Sequence, residues 1–314
     1  RDSKQSRGLG DVYKRQENMQ DKILITGYNG ALAQRLRSFL ENDYDLIYLT
    51  SNKKSVDNSS IYYWDIKNNY VDENALLGCS HIIHLCGYNI MNSWSKKNKA
   101  KMYTSRVDTA NLLFEKCKKL DVKIRTFIGA SAMGYYGLGV QSDVDEESPL
   151  GKDWLAKLSF DWESAAKQFE SIGSRIVNLR ISLMMDLNSG FLKVTLLPMR
   201  FGITSVFLPS NLAYSWIHID DLCSFILYAL KNNNIIGPFN MASPKKQNQL
   251  EVIREIKKYI FKYAIVFPIP LFMMKIILGG RSQLIKGGLH LKTDKLINSG
   301  YKYKYPTISS FLKK

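Results

Sequence analysis

Residues 22–36 decide the fold of this 314-residue chain and read Lys22-Ile23-Leu24-Ile25-Thr26-Gly27-Tyr28-Asn29-Gly30-Ala31-Leu32-Ala33-Gln34-Arg35-Leu36. The short apolar run at 23–25 is typical of a buried strand, and two glycines then turn the chain sharply. The apolar spacing from Ala31 to Leu40 predicts a helix. Strand, glycine turn and helix in this order are the context that a dinucleotide fingerprint requires.

Each small residue of this stretch has a physical role in such a fingerprint. Gly27 allows the tight turn, Gly30 lets the backbone approach a pyrophosphate, and Ala33 lets the helix pack closely on the strand. The free N–H groups and the positive dipole end of the new helix hold the phosphates. A purely structural turn is the alternative. The fingerprint supplies the first cofactor-binding candidates, which are Thr26, Gly27, Asn29, Gly30, Ala31 and Leu32.

The end of the second predicted strand, Asp45 to Thr50, bears on which nicotinamide cofactor is bound. An acidic residue at this point binds the ribose of NAD. The sequence offers none there and continues Thr50-Ser51-Asn52-Lys53-Lys54, with two cations. The lysines favour a 2′-phosphate, and therefore NADP over NAD, with residues 50–53 as binding candidates. The alternative is that two surface lysines simply continue the general basicity of the chain.

Two further strand ends extend the predicted crevice. The third strand ends at Asp65 and Ile66, where the carboxylate is able to reach the adenine amino group. The fourth ends in Leu85-Cys86-Gly87, with small residues that let a cofactor lie across it. His81 and His84 are three residues apart on the same strand, so they face opposite sides and are poor metal ligands. We predict no metal site.

The rest of the chain alternates strands with helices. We predict a long basic helix over 96–119, a fifth strand over 122–130, a well-patterned helix over 153–172 and a sixth strand over 174–179. This alternation predicts an α/β fold, a Rossmann-type doubly wound parallel sheet with its site at the carboxyl ends of the strands. From Arg180 the alternation fades, and the segment 293–314 predicts two short helices around Tyr305-Pro306.

We therefore divide the chain into three parts. Residues 1–18 have no hydrophobic period, are rich in charge and glycine and precede Met19, so we interpret them as a disordered or artefactual extension. Residues 19–180 form the predicted NAD(P)-binding Rossmann domain, whose sheet is completed by later segments. Residues 181–314 form mostly a smaller substrate lobe and a C-terminal helical segment.

Composition and charge place the chain among ordinary globular proteins. Apolar residues make up 45% of the chain and charged residues 23%, as is usual for that class. The net charge of +16 comes mainly from lysines scattered among Asn and Ile, which is typical of a solvated surface. It is compatible with phosphorylated ligands. Binding to nucleic acid or to an acidic membrane surface is a weaker alternative that no motif supports.

The expected compartment is the cytoplasm. The four cysteines show no paired spacing and are typical of reduced thiols, and the sequence shows no secretory signal. Residues 259–278 are strongly apolar, but lysines and prolines interrupt them. This pattern predicts two packed segments joined by a Pro-Ile-Pro turn rather than a membrane span.

Short motifs lie in a characteristic order along residues 22–312. They are Thr26-Gly27-Tyr28-Asn29-Gly30, Ser105-Arg106-Val107, Ser131-Ala132-Met133-Gly134-Tyr135-Tyr136-Gly137, Glu146-Glu147-Ser148-Pro149, Asp161-Trp162-Glu163, Leu179-Arg180, Ser215-Trp216-Ile217-His218-Ile219-Asp220-Asp221-Leu222 and Gly300-Tyr301-Lys302-Tyr303-Lys304-Tyr305-Pro306. Together they resemble the extended short-chain dehydrogenase/reductase superfamily. More narrowly, they resemble its atypical NAD-dependent epimerase/dehydratase-like subfamily, the epimerase family proteins, which have a small C-terminal domain of their own.

The resemblance implies an NAD(P)-binding Rossmann domain with a smaller substrate lobe. The superfamily uses a Tyr, which moves a proton while the nicotinamide moves hydride, and a Lys four residues later that lowers the Tyr pKa. Here these positions fall on Leu155 and Ser159, and Lys157 faces roughly the opposite side of the helix. The assisting Asn on the preceding long helix corresponds to Ser105, which joins the cofactor-binding candidates. Standard Tyr-Lys chemistry is therefore not expected.

Four residues are candidates for the chemistry, each with a structural alternative. Ser131 stands where a substrate carbonyl would be hydrogen-bonded, or caps the end of a strand. Tyr135 or Tyr136 supplies another acid, or packs against the cofactor. His218 acts as a base oriented by Asp220 and Asp221, or precedes a helix that Asp220 caps. The substrate-binding candidates are Asn89, Trp94 and Arg180.

We therefore predict an NADP(H)-binding oxidoreductase or epimerase-like enzyme that acts on a small polar substrate, with a nucleotide-linked substrate as one option. The alternative is a cofactor-binding regulatory or scaffold protein that has kept the nucleotide site without the chemistry. The expected partner is a small molecule. A homo-oligomer is an open option, and neither nucleic acid nor stable membrane insertion is expected.

Overall fold

The computed structural model describes residues 20–139 and 142–313, and the extension predicted for residues 1–18 lies outside this part of the chain. The strands are β1 Lys22–Thr26, β2 Asp45–Thr50, β3 Ile61–Asp65, β4 Tyr70–Val71, β5 Cys79–His84, β6 Thr126–Ala132, β7 Ser142–Val144, β8 Arg175–Ile181, β9 Leu183–Asp186, β10 Ile203–Leu208, β11 Trp216–His218, β12 Gly237–Met241, β13 Ile265–Pro270 and β14 Leu289–Leu291. The α-helices are α1 Ala31–Leu40, α2 Lys96–Tyr103, α3 Thr109–Lys119, α4 Trp154–Lys167, α5 Gly190–Met199, α6 Ile219–Lys231, α7 Gln249–Tyr259, α8 Leu271–Leu278, α9 Ser282–Lys286, α10 Asp294–Asn298 and α11 Ile308–Leu312.

Eight of the strands form one sheet in the order β12-β8-β6-β5-β1-β2-β3-β4. Its neighbouring pairs are parallel except β3 with β4, which is antiparallel. The chain moves outward from β1 to β4 on one side and from β5 to β12 on the other, so the strand order reverses between β1 and β5. The predicted Rossmann-type doubly wound sheet is confirmed. Ligands of such sheets bind outside the carboxyl ends of the strands, at this point of reversal.

Helices cover both faces of the sheet because its central strands are apolar on both sides. In β1, Ile23 and Ile25 share a core with α1 and α6, whereas Leu24 shares another with α3 and the end of α4. All three side chains are fully buried. Alternate residues of one strand thus enter two cores, as the two-residue period of a strand requires.

A smaller lobe follows β8. In it β9 pairs with β11 and β10 pairs with β13, and their side chains share a core with α5, α7 and α11. Met185, Trp216 and Ile256 are buried at its centre. The chain leaves this lobe to add β12 to the edge of the main sheet, beside β8, and again where β14 pairs with β7 and Leu296 joins the core of the main sheet.

Two local predictions are corrected. The Pro-Ile-Pro segment is not a turn, because it ends β13, which pairs with β10 through the register Leu208↔Pro270. Proline lacks a backbone N–H, and a two-stranded sheet tolerates it because each strand has one unpaired edge. The helix predicted over 96–119 contains a π-helical turn, Thr104–Asp108, between α2 and α3. Among residues 20–139 and 142–313, no helix has the length and apolarity needed to cross a bilayer.

Candidate cofactor and active site

Gly27 turns the chain immediately after β1, where the strand order reverses. Its φ of +79° lies in the left-handed region, which costs a residue with a Cβ about 1–2 kcal/mol. A Cβ here would also lie 3.0 Å from the Cys86 nitrogen and 3.1 Å from the Leu85 carbonyl carbon. A 2.7 Å hydrogen bond from the Gly30 amide to the Gly27 oxygen closes the turn. Both conformation and space therefore require glycine at this position.

Thr26, the last residue of β1, joins the two strands on either side of the reversal. Its buried Oγ1 accepts hydrogen bonds from the amides of Leu85 (3.0 Å) and Cys86 (3.2 Å). The same oxygen lies 3.1 Å from the Nδ1 of His84. The Thr26 side chain therefore fixes the loop 85–87 beside the Gly27 turn.

Helix α1 presents its N-terminus next to this turn. Gly30 is the N-cap, so the first amides of the helix receive no hydrogen bond from a cap side chain, and the first turn reads Ala-Leu-Ala-Gln. Asn29 and Gly30 are exposed, while Ala31 and Leu32 are half-buried. Free N–H groups at the positive end of a helix attract phosphate. The fingerprint residues therefore form a turn that suits a phosphate, and residues 27–32 are called the phosphate cradle below.

The segment after β2 is ordered by its own side chains. Thr50 Oγ1 accepts a hydrogen bond from the Asn52 amide (3.2 Å), and Asn52 Oδ1 accepts one from the Lys54 amide (3.1 Å). The Nζ of Lys53 lies 5.0 Å from the centre of the Tyr63 ring on β3. Two cations thus stand at the carboxyl end of β2, on the side of the sheet where the cradle lies.

Asp65, at the end of β3, is a carboxylate that already has partners. Its Oδ2 accepts a hydrogen bond from Asn68 Nδ2 (2.8 Å), and its Oδ1 accepts one from the Lys67 amide (3.0 Å). The bond from Asn68 chiefly lowers the pKa of Asp65 below its ordinary value. Asp65 thereby caps a short 3-10 turn that begins at the half-buried Ile66. Ser51, the cofactor candidate that follows β2, is exposed.

The loop after β5 is attached to the π-helical turn. Cys86 Sγ donates to the Ser105 carbonyl oxygen (2.9 Å), and Ser105 Oγ accepts a hydrogen bond from the Tyr88 amide (2.7 Å). Gly87 is exposed, and a Cβ there would lie 2.8 Å from the guanidinium carbon of Arg106. Single π turns inside helices are frequent at functional sites. Here the turn holds the loop that faces the cradle.

Three candidates meet in a buried polar cluster at the carboxyl ends of β6 and β8. Glu163 of α4 binds Arg180 through both carboxylate oxygens, at 2.9 and 3.0 Å. The Ser131 hydroxyl donates to the same carboxylate at 2.7 Å. Arg180 also donates to the Tyr136 hydroxyl (3.0 Å), which donates in turn to Asn240 Oδ1 (2.6 Å). These five residues are called the Glu163 cluster below.

Tyr135 and Tyr136 differ in how deeply they are buried and in what their side chains contact. Burial raises the pKa of Tyr136 to about 12, and its hydroxyl is shared between Arg180 and Asn240. Burial opposes the charge of Arg180, but the contact with Glu163 outweighs it and raises the pKa of the guanidinium. Tyr135 is half-buried, and its ring centre lies 3.5 Å from the Arg180 Cζ. Tyr136 is therefore committed to the cluster, whereas Tyr135 lies on its outer side.

Leu155 and Ser159 lie side by side on α4 and face the turn Met133–Tyr136. A Cβ at Gly134 would lie 3.1 Å from the Leu155 Cδ2 and 3.6 Å from the Ser159 Oγ. Both residues are buried, and the Ser159 hydroxyl donates to the Leu155 carbonyl oxygen (3.0 Å). The helix is fixed at its start by Asp153, whose Oδ1 accepts from the Leu155 amide at 2.9 Å. These side chains therefore pack against the segment that carries Tyr135.

His218 belongs to a different group of side chains. Its Nδ1 accepts a hydrogen bond from the Asp220 amide (3.1 Å), which makes His218 the N-cap of α6. The suggestion that Asp220 caps this helix is thus wrong, because its carboxylate lies in the first turn and binds Arg35 of α1 at 2.6 and 3.0 Å. The imidazole packs on Tyr305 and Phe311, with ring centres 4.3 and 4.7 Å apart. Burial lowers the pKa of His218 to about 4.

Two substrate-binding candidates lie on the loop between β5 and α2. Asn89 is exposed, and its Oδ1 accepts from the Met91 amide (2.8 Å). Trp94 is half-buried and meets Trp154 edge-on, with ring centres 4.8 Å apart. A Cβ at Gly280 would lie 3.0 Å from the Trp94 ring. This loop therefore connects the start of α4 with the C-terminal part of the chain.

Glu163, Asn240 and Arg106 are site residues that the sequence pattern alone does not predict. Glu163 and Arg106 lie inside the motifs Asp161-Trp162-Glu163 and Ser105-Arg106-Val107, so a signal was present for both. Asn240 is 104 residues from its partner Tyr136, and no local pattern points to it.

Comparison with known proteins gives two matching family models. The model of the NAD dependent epimerase/dehydratase family matches residues 23–242. A model described as a domain of unknown function, DUF1731, matches residues 269–314. Among relatives, the epimerase family protein SH2119 of Staphylococcus haemolyticus is 28% identical over 291 residues, which cover 91% of this chain and 96% of the relative.

Two solved structures of the same fold contain a nicotinamide cofactor. The human epimerase family protein SDR39U1 (isoform 2) with NADPH matches with a TM-score of 0.81 at 22% identity, over 93% of this chain and 98% of that one. The UDP-glucuronic acid 4-epimerase of Bacillus cereus in complex with NAD matches with a TM-score of 0.69 at 21% identity, over 92% and 94%. At these identities the likeness is one of fold. The family model matches well over half of this chain, and the chain therefore belongs to the NAD dependent epimerase/dehydratase family.

Proposed function

We propose that this chain binds NADP(H) at the carboxyl ends of β1, β2 and β5 and acts as an oxidoreductase or epimerase-like enzyme on a small polar substrate, nucleotide-linked substrates included. The phosphate cradle carries this proposal. A Cβ at Gly30 would lie 3.1 Å from the Gly27 oxygen, and a Cβ at Gly27 would lie 3.0 Å from the Cys86 nitrogen, so the cradle has its present shape only with glycine at both positions. Helix amides without a cap side chain suit a pyrophosphate.

The preference for NADP(H) over NAD(H) rests on the end of β2. The segment 50–54 has no carboxylate to bind a ribose 2′-hydroxyl, and Lys53 and Lys54 offer positive charge to a 2′-phosphate. The human structure of this fold is described with NADPH and the Bacillus cereus structure with NAD, so the fold accommodates either cofactor. The selectivity between the two cofactors must therefore depend on the residues at the end of β2.

For the chemistry, we assign the carbonyl contact to Ser131, whose hydroxyl hydrogen would turn from Glu163 to the carbonyl oxygen, and the proton transfer to Tyr135. The nicotinamide, when bound, supplies or accepts the hydride. Glu163 orients the Ser131 hydroxyl and holds Arg180 beneath the Tyr135 ring. Tyr136 is less suited to proton transfer because its hydroxyl is already shared within the Glu163 cluster.

His218 is also less suited to act as the base. Its Nδ1 is occupied by the Asp220 amide, and its ring is covered by Tyr305 and Phe311. We therefore assign it a structural role at the start of α6. The lobe built from β9, β10, β11 and β13 is our proposed substrate lobe.

A second candidate function is a non-catalytic NADP(H)-binding regulator, and one observation favours it. By the family resemblance Leu155 and Ser159 stand at the positions of the superfamily's Tyr and Lys, and both are buried against Gly134. Neither side chain transfers a proton usefully at neutral pH. In this case the cradle would bind the cofactor and its occupancy would be the signal.

Substitutions of Ser131 and Tyr135 separate the two functions. The protein would be given NADPH with a panel of carbonyl compounds and nucleotide-linked sugars, and nicotinamide absorbance and epimer products would be followed. For the enzyme, Ser131→Ala and Tyr135→Phe each lower turnover about 10²–10³-fold with NADPH affinity nearly unchanged. For the regulator, the wild-type protein turns over none of the panel.

Ser174→Ala is the matched control for the serine. Ser174 is also buried and donates to the Ile124 carbonyl oxygen (2.6 Å), but it precedes β8 at the amino end of the sheet. This variant should keep full turnover. Undiminished turnover in both Ser131→Ala and Tyr135→Phe would contradict the assigned roles.

A further inference from the structure

The smaller lobe exposes a continuous group of apolar side chains. It is formed by α5, the outward side of the β10–β13 pair and α8, which pack against one another in that order. Among its most exposed residues, Phe201, Ile276, Ile277 and Val194 have 80%, 81%, 68% and 70% of their surface accessible. We call this the apolar surface. Contiguous apolar patches of this kind mark sites that bind a protein or a membrane.

Helix α8 is the most apolar part of this surface. It reads Leu-Phe-Met-Met-Lys-Ile-Ile-Leu, and each of its eight residues is at least partly exposed. A helix that covered the core of the lobe would bury one face. This helix instead presents Phe272, Ile276 and Ile277 to the solvent. The apolar character of α8 therefore indicates that a binding partner covers it, rather than the core of the lobe.

The charge around the apolar surface is mainly positive, although the neighbouring helix α7 also carries Glu251 and Glu255. The two stretches that form it, 187–219 and 256–293, contain nine Lys or Arg residues and no Asp or Glu. Lys262 and Lys275 are exposed directly beside the apolar side chains. A groove of about 500 Å³ also lies at β10, β13 and α7, with Arg254 and Lys257 among its lining residues. The surface thus combines apolar side chains with cations and suits an anionic partner.

We propose that the apolar surface binds the face of an anionic lipid bilayer, with α8 at the boundary between headgroups and acyl chains. Exposed Phe, Ile and Leu beside lysines are the combination by which interfacial helices bind such membranes. Lys and Arg near the surface add attraction to anionic headgroups. A second copy of the chain fits less well, because a two-fold contact would set the same cations against each other. This inference does not rest on the proposed function.

Vesicle binding tests the proposal with the full chain. Phosphatidylcholine vesicles with and without phosphatidylglycerol would be sedimented with the protein at low and at high salt. We expect binding to the anionic vesicles to be about 10-fold or more tighter than to the neutral ones and to weaken as salt rises. Equal binding to both vesicles, or binding to neither, would overturn the proposal.

Two variants locate the contact. Ile276→Gln with Ile277→Gln should weaken binding to anionic vesicles about 10-fold or more, because these side chains would enter the interface. Lys262→Glu with Lys275→Glu should also weaken binding to anionic vesicles about 10-fold or more, because it reverses the charge beside the apolar side chains. This charge variant tests the location of the contact if the isoleucine variant fails to fold. Ile236→Gln is the matched control, since Ile236 is 57% exposed between α6 and β12. The control should bind like the wild type.

Analytical ultracentrifugation examines the competing occupant. A dimer that dissociates on Ile276→Gln with Ile277→Gln, without vesicle binding by the wild type, would assign the surface to a second copy and overturn the membrane proposal. NADPH affinity measured on the same variants should be unchanged, so a failure here is distinguishable from a failure of the proposed function.

Discussion

At the scale of single residues, the turn after β1 depends on Gly27 both for backbone conformation and for space. We expect Gly27→Ala to lower the free energy of unfolding by about 2–4 kcal/mol, because a strained φ adds to the contact with Cys86. NADPH affinity should fall in parallel as the cradle widens. Urea unfolding and NADPH titration measure the two effects.

Gly78→Ala separates the two causes. Gly78 has a similar φ of +75°, but a Cβ there would have nothing within 4 Å. The control should lose only about 1 kcal/mol of stability and keep its NADPH affinity. Equal losses in both variants would mean that the approach of Cys86 to Gly27 is unimportant.

A second residue, His218, makes the free energy of unfolding depend on pH at acidic pH. Burial lowers its pKa to about 4 from an ordinary 6.5. As the pH falls below 6.5 the unfolded chain binds a proton that the folded chain does not, so stability declines until about pH 4, by about 1–3 kcal/mol from this group. Above pH 7 this group contributes no pH dependence.

His218→Asn tests that assignment because Asn keeps a side-chain acceptor for the Asp220 amide. The difference in unfolding free energy between about pH 7.5 and pH 5 should be smaller in the variant than in the wild type. Some difference remains, since burial also lowers the pKa of His81 to about 4. An unchanged difference would show that His218 titrates normally.

At the scale of elements, the Glu163 cluster fastens α4 to β6 and β8. Glu163→Gln would leave the Arg180 guanidinium buried without a counter-charge. We expect a loss of about 3–5 kcal/mol, the usual result of breaking a buried pair. Asp161→Asn on the same helix is the control, because its partner Lys157 has 73% of its side chain exposed and the pair is worth about 1 kcal/mol or less. Similar losses in the two variants would contradict the role given to Glu163.

Elements with local signals were predictable from the sequence. Helix α1 and strand β2 begin and end where the apolar spacing places them, at Ala31–Leu40 and Asp45–Thr50. The π turn at Thr104–Asp108 was not predictable from the sequence. It inserts one extra residue into the helix, and in a basic helix with few apolar residues this shift of the apolar spacing is too small to detect. Strand β13 was missed because two prolines usually mark a turn, and only its pairing with β10 shows otherwise.

At the scale of the whole molecule, the cradle was predictable and the Glu163 cluster was not. The cradle residues are consecutive, so their pattern can be seen in the sequence alone. The cluster joins Tyr136 to Asn240 across 104 residues and depends on β12 returning to the sheet. Such a contact follows from topology, which spacing does not reveal.

The basic character of the chain predicts a specific effect at the end of β2. Lys53→Glu with Lys54→Glu should weaken NADPH binding about 10-fold or more and change NADH binding little, because only NADPH carries the 2′-phosphate. Lys119→Glu with Lys123→Glu, at exposed positions before β6, makes the same change of net charge and is the control. Fluorescence titration with each cofactor measures the effect, and equal weakening of both cofactors would remove the lysines from the 2′-phosphate site.

The most direct test of the account is to titrate the wild-type protein with NADPH and with NADH and to follow the fluorescence of the bound nicotinamide. The account predicts saturable binding of NADPH that is clearly tighter than that of NADH. Absence of binding by either cofactor at about millimolar concentration, a free energy near −4 kcal/mol, would contradict it, because the Gly27 turn would then serve the fold alone.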